Sequence, residues 1–231
     1  MDNIVGRLQK VFSQQQIDLM IGSLLGDARL ECRSNGIRYP ISARLRIHQS
    51  DKQKEYVFWK YSILRDLVLK EPRRIKTWHD PKRDKDHYSW YFHTKTLREL
   101  GDLHHCFYKN KIKILPENVF SFVTPAALAT WFMDDGSNTG NGFTISTHCF
   151  ETRDQLRVID FLKKQYNILA TVVKDRNKFK ISIGSHEYQK LVNVIEPFII
   201  PSMKYKICNP RNDLVCESKL ELESATSLLS S

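Results

Sequence analysis

Two aspartates, Asp27 and Asp135, occupy matching positions in the two halves of the chain. Each follows an apolar run of helical character and precedes a small residue, Ala28 or Gly136. Carboxylates are hard oxygen donors, which suit Mg²⁺, Mn²⁺ or Ca²⁺. A divalent cation held by such groups activates water and stabilises a leaving oxygen in phosphodiester hydrolysis. The pattern therefore predicts a metal site, provided that folding brings the two acids together.

The runs that carry these aspartates are suited to close packing. Gly22 and Gly26 lie four residues apart, on one face of the first helix, and Ala129 and Thr130 are small residues in the second. If the helices pack side by side, both carboxylates sit at negative helix ends. At about 4 Å they also repel each other by roughly 4 kcal/mol. Bound metal would relieve both costs, although Asp and Gly also commonly cap helices and start turns.

Charge favours a polyanionic partner. The 231 residues carry a formal net charge of +10, which favours nucleic acid or an anionic membrane surface, with a solvated Lys-rich surface as the alternative. No apolar run reaches the length of a membrane span, so we expect a soluble protein. Of the two polyanions we expect nucleic acid as the partner, and no membrane. The start lacks the pattern of a signal peptide. The five cysteines form no Cys-x-x-Cys pair, so we expect reduced thiols inside a cell.

The order of elements repeats. Ser13 and Gln16 have capping-box spacing before a helix over 14–26, and Thr124-Pro125 opens the matching helix. Further helices are predicted over 51–69, 96–108, 152–166 and 187–198, with strands between them. Each half of the chain therefore has the order helix-strand-strand-helix-strand-strand-helix. The predicted fold class is α+β, as two pseudo-symmetric αββαββα units with antiparallel sheets, joined at a two-helix interface. The predicted units cover 1–115 and 116–216, followed by a flexible tail over 217–231.

The sequences LATWFMDDG (128–136) and MIGSLLGDA (20–28) resemble the two motifs of a single-chain LAGLIDADG homing endonuclease. The first copy departs more, with Leu25 at the first Asp of the motif and Ala28 at its final Gly. The resemblance implies saddle-shaped sheets in the major groove of double-stranded DNA. It also implies a monomer that cuts both strands across the minor groove, with Mg²⁺ as cofactor and Mn²⁺ or Ca²⁺ able to substitute in binding.

The resemblance also implies roles for particular residues. Asp27 and Asp135 would bind metal, helped by the backbone carbonyls of Gly26 and Asp134. Four further residues match catalytic positions of the family: Gln49, His148, Lys113 and Lys206. His148 departs from the more usual Gln, and ordinary solvated charge is the alternative for the lysines.

Basic residues on the predicted sheets would contact DNA. In the strand over 41–48, small and apolar residues alternate with Arg44, Arg46 and His48, so one face is core and the other basic. The predicted DNA-binding set is Arg29, Arg33, Arg44, Arg46, His48, Lys76, Lys178 and Lys180. An ordinary solvated sheet face is the alternative.

Two other functions remain open for such a chain. One is an RNA maturase acting on the host intron, and the other is a DNA-binding protein that has lost catalysis. The expected location is a bacterial or archaeal cytoplasm, or an organelle that carries the host intron.

Overall fold

The chain folds as two copies of one helix-and-sheet unit. The computed structural model describes residues 2–32 and 42–208. A short helix, α1 (Asp2–Leu8), comes first. The N-terminal unit follows as α2 (Gln14–Leu25), β1 (Arg29–Glu31), β2 (Arg44–Ser50), α3 (Lys54–Ile63), β3 (Arg73–Asp80), β4 (Lys85–His93) and α4 (Arg98–Phe107).

A two-stranded hairpin, β5 (Tyr108–Lys109) and β6 (Ile112–Lys113), leads to the second copy. The C-terminal unit consists of α5 (Pro125–Asp135), β7 (Gly136–Asn138), β8 (Gly142–Ile145), α6 (Thr152–Tyr166), β9 (Ala170–Asp175), β10 (Lys178–Gly184) and α7 (Tyr188–Ile195). Both units thus have the predicted order αββαββα, and the α+β fold is confirmed. No helix in the described part of the chain combines the length and apolar character that a membrane span requires.

The two sheets have the same antiparallel topology. The strand orders are β1-β2-β4-β3 and β7-β8-β10-β9. Leu45 and Ile47 on β2, and Ile181 and Ile183 on β10, are buried on one face, while polar side chains alternate with them on the other. One face therefore packs on the helices, and the opposite face, called here the polar face of each sheet, is left for other contacts.

The helices α2 and α5, called here the motif helices, pack against each other through small residues. A Cβ built on Gly22 would overlap the backbone carbonyl oxygen of Ala127 and lie 2.6 Å from Cβ of Thr130. A Cβ on Gly26 would lie 2.5 Å from Cβ of Asp134. The predicted close approach of the two helices is therefore present, and it depends on the absence of side chains at both glycines.

Local capping agrees with the sequence pattern at both helix starts. The Ser13 hydroxyl accepts the Gln16 amide N–H while the Gln16 side chain accepts the Ser13 N–H, which is a complete capping box. The Thr124 hydroxyl accepts the Ala127 N–H, and Pro125 is the first residue of α5. These caps fix where each motif helix begins and therefore where its last turn falls.

Some predicted elements differ from those observed. The helix expected over 51–69 is α3 flanked by the 3₁₀ turns Asp51–Gln53 and Arg65–Leu67. The charged sequence over 80–86 predicts a loop, but only a short turn remains there, because the pairing of β3 with β4 continues to Asp80 and Lys85. The sequence Asn35-Gly36, which is typical of a hairpin turn, lies outside the described residues.

Candidate active site

The C-terminal ends of the motif helices meet at one point. The backbone N–H of Asp27 donates to Oδ2 of Asp134 over 3.4 Å. The side-chain amide of Gln49 bridges the two helix ends, donating to Oδ2 of Asp27 at 3.1 Å and to Oδ1 of Asp134 at 3.0 Å. The structure therefore brings Asp27 together with the adjoining pair Asp134 and Asp135, as the spacing predicts.

Asp135 lies in an electrostatically unfavourable position for a carboxylate. Burial, followed by the negative charges of Asp27 and Asp134, raises the pKa of Asp135 to about 7. The positive charge of Lys113 opposes that rise, as does a hydrogen bond of 3.3 Å from the Trp131 indole N–H to Oδ2 of Asp135. A divalent cation would favour the ionised form and relieve the repulsion between Asp27 and Asp135.

Asp134 is different, because its carboxylate is neutralised within the protein. The Lys60 ammonium lies 2.7 Å from Oδ1 and 3.0 Å from Oδ2 of Asp134, and both side chains are fully buried. The ammonium also lies 4.3 Å from the ring centroid of Tyr56. Asp27 and Asp135 therefore remain as the carboxylates that are available to a cation.

The donor set fits a hard divalent ion that takes most of its ligands from elsewhere. Within residues 2–32 and 42–208, no cluster of three or more His, Cys, Asp or Glu side chains is arranged to hold a metal. Two carboxylates are too few for a site made only of protein groups. They are sufficient for Mg²⁺, which usually keeps several waters and binds one or two carboxylates together with substrate phosphates.

The two predicted lysines occupy equivalent places beside the motif helices. Nζ of Lys113 donates to the carbonyl oxygens of Gly26 at 2.6 Å and Ala28 at 3.1 Å. Nζ of Lys206 donates to those of Met133 at 2.5 Å and Asp134 at 3.2 Å. Each ammonium thus caps the negative end of a motif helix. The carbonyls of Gly26 and Asp134, predicted as metal ligands, accept hydrogen bonds from these lysines in this structure.

Burial affects both ammonium groups in the same way. It lowers the pKa of Lys113 and of Lys206 from the ordinary value of lysine, while the carboxylates nearby oppose the change. The two lysines therefore share a position, an electrostatic environment and one equivalent acceptor, the carbonyl of the residue before each motif aspartate. Their second acceptors, Ala28 and Met133, are not equivalent.

The sheet register corrects one predicted match. Gly136, which follows Asp135, pairs with Ile145 on β8, and continuing the β1–β2 register places Ala28 opposite Ile47. Gln49, two residues after Ile47, therefore corresponds to Thr147, two residues after Ile145. His148 is one residue further along, and a shift by one residue moves a side chain to the opposite face.

The contacts of His148 agree with this register. Its ring bonds Asp175 at 3.1 Å and Ser146 at 3.1 Å, on the side of the sheet where Lys180 also contacts Asp175. His148 therefore does not share the position of Gln49. The Thr147 hydroxyl is buried and has no hydrogen-bond partner.

The polar face of the N-terminal sheet carries three arginines around one carboxylate. Oε1 of Glu31 lies 2.7 Å from Nη2 of Arg29 and 3.2 Å from Nη1 of Arg46, and Oε2 lies 2.8 Å from Nη2 of Arg44. Burial alone would raise the pKa of Glu31, but the hydrogen bonds from these arginines outweigh it and lower the pKa to about 2. This group, called here the arginine cluster, keeps two net positive charges at neutral pH.

Three further polar-face residues match the DNA-binding prediction in position. His48 bonds the Ser89 hydroxyl at 2.6 Å, and burial, with the charges of Arg46 and Arg29, lowers its pKa, so that the ring is neutral at pH 7. On the C-terminal sheet, Lys180 is ion-paired to Asp175 at 3.2 Å, and Lys178 lies exposed on the same face.

One described member of the predicted DNA-binding set, Lys76, does not lie on the polar face. Lys76 pairs across the sheet with Tyr88, whose side chain lies on the same face as the buried Phe92, so Lys76 points away from the arginine cluster. It forms an ion pair of 2.6 Å with Asp86. Arg33 lies outside the described residues.

Sequence reasoning missed Lys60. A signal was available, because Lys60 lies four residues after Tyr56 on the stripe of α3 that also buries Val57 and Tyr61. A lysine on an apolar stripe indicates a buried partner. The partner itself could not be read from the pattern, since Asp134 is 74 residues further along the chain.

Comparison with known proteins agrees with the fold and with the motif positions. The model of the LAGLIDADG DNA endonuclease family matches residues 17–191. The chain is 30% identical over 208 residues to the cytochrome b mRNA maturase bI2 of Debaryomyces hansenii, covering 87% of this chain and 76% of the maturase. It is 33% identical over 211 residues to DNA endonuclease I-ChuI of Chlamydomonas applanata, covering 84% of this chain and 95% of that enzyme.

A solved structure shares the fold. The homing endonuclease I-WcaI bound to its DNA recognition sequence superposes with a TM-score of 0.76 at 23% identity, covering 85% of this chain and 87% of that one. The family match covers α2 from Ile17 onward, all of α5 and all strands of both four-stranded sheets. The chain therefore belongs to the LAGLIDADG DNA endonuclease family.

Proposed function

We propose that this chain is a site-specific homing endonuclease that makes double-strand breaks in DNA by divalent-metal-dependent hydrolysis, with Mg²⁺ as the working cation. The observation that carries the proposal is the convergence of Asp27 and Asp135 from two motif helices at one point. Because one chain carries both carboxylates, we propose that it acts as a monomer. The chain supplies one catalytic carboxylate from each unit, and we assign the units to 1–115 and 116–216.

Asp27 and Asp135 would hold the metal, which when bound supplies an activated water and stabilises the leaving oxygen. Lys113 and Lys206 hold the carbonyl ends of the motif helices in place, and their ammonium groups place positive charge beside the carboxylates. That charge suits the phosphate whose negative charge grows during the reaction. Gln49 fixes the orientation of the Asp27 carboxylate through its amide N–H.

The polar faces of the two sheets would contact the duplex, but with different chemistry. The N-terminal face presents the arginine cluster, and a guanidinium can pair with the O6 and N7 atoms of guanine. The C-terminal face presents mainly hydroxyl groups and two lysines: Ser137, Thr144, Thr171, Ser182, Lys178 and Lys180. If six or more phosphates are neutralised, DNA affinity should fall by ~10³ or more between 50 and 200 mM salt.

Maturase activity is a second candidate, favoured by the identity to the bI2 maturase over most of both chains. Its substrate would be the RNA of the intron that carries this reading frame. Splicing of that RNA in vitro, with and without the protein, separates the two functions. Retention of both Asp27 and Asp135 supports an active nuclease over a DNA-binding protein that has lost catalysis. We place the protein inside the cell compartment that holds the intron.

The direct test uses a supercoiled plasmid that carries the joined flanks of the host intron. In Mg²⁺ we expect the wild type to linearise it, and Asp27→Asn or Asp135→Asn to abolish double-strand cleavage. Asp160→Asn is a matched control, because this exposed residue pairs only with Lys164 on the outer helix α6. Full linearisation by either active-site variant would reject the paired-carboxylate mechanism.

A further inference from the structure

The buried pair of Lys60 and Asp134 joins the two units at the active site. Lys60 belongs to α3 of the N-terminal unit, and Asp134 belongs to the motif helix of the C-terminal unit. Their contacts of 2.7 and 3.0 Å are fully buried. A buried ion pair contributes little net stability compared with apolar side chains of similar size, because both charges lose their hydration. Stability alone therefore does not account for this pair.

Besides Lys60 and Tyr56, the carboxylate of Asp134 has two partners that belong to the Asp27 side of the site. Oδ1 accepts the Gln49 amide at 3.0 Å, and Oδ2 accepts the Asp27 backbone N–H at 3.4 Å. Gly26 allows this approach, since a Cβ there would lie 2.7 Å from Oδ2 of Asp134. Lys60 thus fixes the carboxylate of Asp134. That carboxylate in turn bonds the backbone N–H of Asp27 and the Gln49 amide, which orients the Asp27 side chain.

The opposite centre lacks this support. Gly26 precedes Asp27 as Asp134 precedes Asp135, so the symmetric position carries no carboxylate. Thr147, which corresponds to Gln49, has a buried hydroxyl without a partner. The arrangement of a lysine ammonium, a buried carboxylate and a side-chain amide therefore supports Asp27, and no equivalent arrangement supports Asp135.

We infer that Lys60 and Asp134 are positioning residues for the Asp27 centre, so that removing the pair slows cleavage of one DNA strand selectively. The inference rests on the proposed endonuclease function. Misplacement of a reacting group by about 1 Å can cost 10²-fold in rate. Loss of the pair should therefore slow one strand by about tenfold or more relative to the other, and a nicked intermediate should accumulate.

The test uses a duplex of the joined intron flanks, with the two strands carrying different fluorescent labels, and follows both cuts in Mg²⁺. The main variant is Lys60→Met with Asp134→Leu, which replaces the pair by apolar side chains of similar size. It should keep a melting temperature near that of the wild type and still cut the two strands unequally. Asp134→Asn, which keeps the shape but removes the charge, should give the same bias. Gln49→Ala should slow the same strand, because Gln49 contacts Asp27 directly.

A second readout does not depend on cleavage. The amide hydrogen of Asp27 should exchange faster in the double variant, as measured by NMR, while that of Asp135 stays protected by its own helix. Equal slowing of both strands, or recovery of equal cutting in the double variant, would show that the pair is only structural and would overturn the inference. If the wild type cuts neither strand, the proposed function fails and the inference fails with it.

Discussion

Gly22→Ala is the substitution that tests the packing of the motif helices most directly. In an exposed helix interior, replacing Gly by Ala stabilises by about 0.8–1 kcal/mol, because Gly has the larger conformational entropy to lose. Gly22 is not exposed. The new methyl group would overlap the carbonyl oxygen of Ala127 and approach Cβ of Thr130 to 2.6 Å. Contact with a backbone atom cannot be relieved by turning a side chain.

The two effects oppose each other, and their magnitudes decide the sign. Overpacking a tight contact costs typically 1–3 kcal/mol, and the overlap with a backbone atom favours the upper part of that range, about 2–3 kcal/mol. After subtracting the propensity gain of about 1 kcal/mol, we expect a net loss of about 1–2 kcal/mol. For a chain of this length, 1 kcal/mol corresponds to roughly 2–4 °C in melting temperature. The expected decrease is therefore about 2–8 °C.

The assay compares thermal and urea unfolding of Gly22→Ala with those of a matched control, Gly6→Ala. Gly6 lies in α1, and a Cβ there would have nothing within 4 Å. Only the propensity term applies, so Gly6→Ala should be neutral or slightly stabilising. If Gly22→Ala raises the melting temperature as the control does, the close approach of α2 and α5 is refuted, and with it the meeting of Asp27 and Asp135.

Three further predictions concern charge. Without metal at pH 8, Asp135→Asn should raise the free energy of unfolding by up to about 4 kcal/mol, because the pKa of Asp135 rises from 3.8 to about 7 on folding. That gain should grow between pH 4 and pH 7, because there the carboxyl group is ionised in the unfolded chain but still protonated in the folded one, and it should stay constant above pH 7. Melts that show no pH dependence would contradict it. Adding Ca²⁺ at 100 times its Kd should stabilise the wild type by about 2.7 kcal/mol but not Asp135→Asn, as measured by calorimetry. Glu31→Gln should strengthen binding to random-sequence duplex DNA, as measured by fluorescence anisotropy. The salt dependence of binding should steepen by about 0.9 in slope for each additional phosphate contacted. Asp86→Asn is the control, because Asp86 lies on the other face of the sheet.

The order of elements could be predicted because its signals are local. The capping box at Ser13 and the Thr124-Pro125 start are read from a few adjacent residues. Alternation along β2 and β10 gives both the strand and its buried face. Repetition then strengthened each assignment, since a weak signal in one unit had a counterpart in the other.

Elements without a burial pattern were harder to place. The strand β7 has three residues of turn-like composition and is defined by its pairing with β8, which a single sequence does not show. The helical spacing of Leu156, Ile159 and Leu162 predicts that these three residues share the packed face of α6. Leu156 is nevertheless 56% exposed, while Gln155 and Val158 are buried. Gln155 is buried because its amide donates to the carbonyl oxygens of Thr147 and Phe179.

Sequence reasoning can identify the site residues that belong to the motif itself. It cannot identify residues whose role depends on partners that are distant along the chain. Asp27 and Asp135 follow from the motif, but the match between Gln49 and a residue of the second unit needed the sheet register. Gln49 is 22 residues from Asp27, whereas Thr147 follows Asp135 much more closely, so counting along the chain cannot align them. Loop lengths differ between the units, while strand pairing does not.

Fusion of two units in one chain lets the halves of the binding surface differ, and here they do. The N-terminal polar face gathers three guanidinium groups around Glu31, while the C-terminal face offers hydroxyl groups and lysines. A symmetric dimer would read the same bases twice, so its target would be palindromic. Two unlike faces cannot read the two halves of a palindrome alike. We therefore expect a non-palindromic target in which the half contacted by the arginine cluster is richer in guanine. Selection of bound duplexes from a random pool should recover such sites.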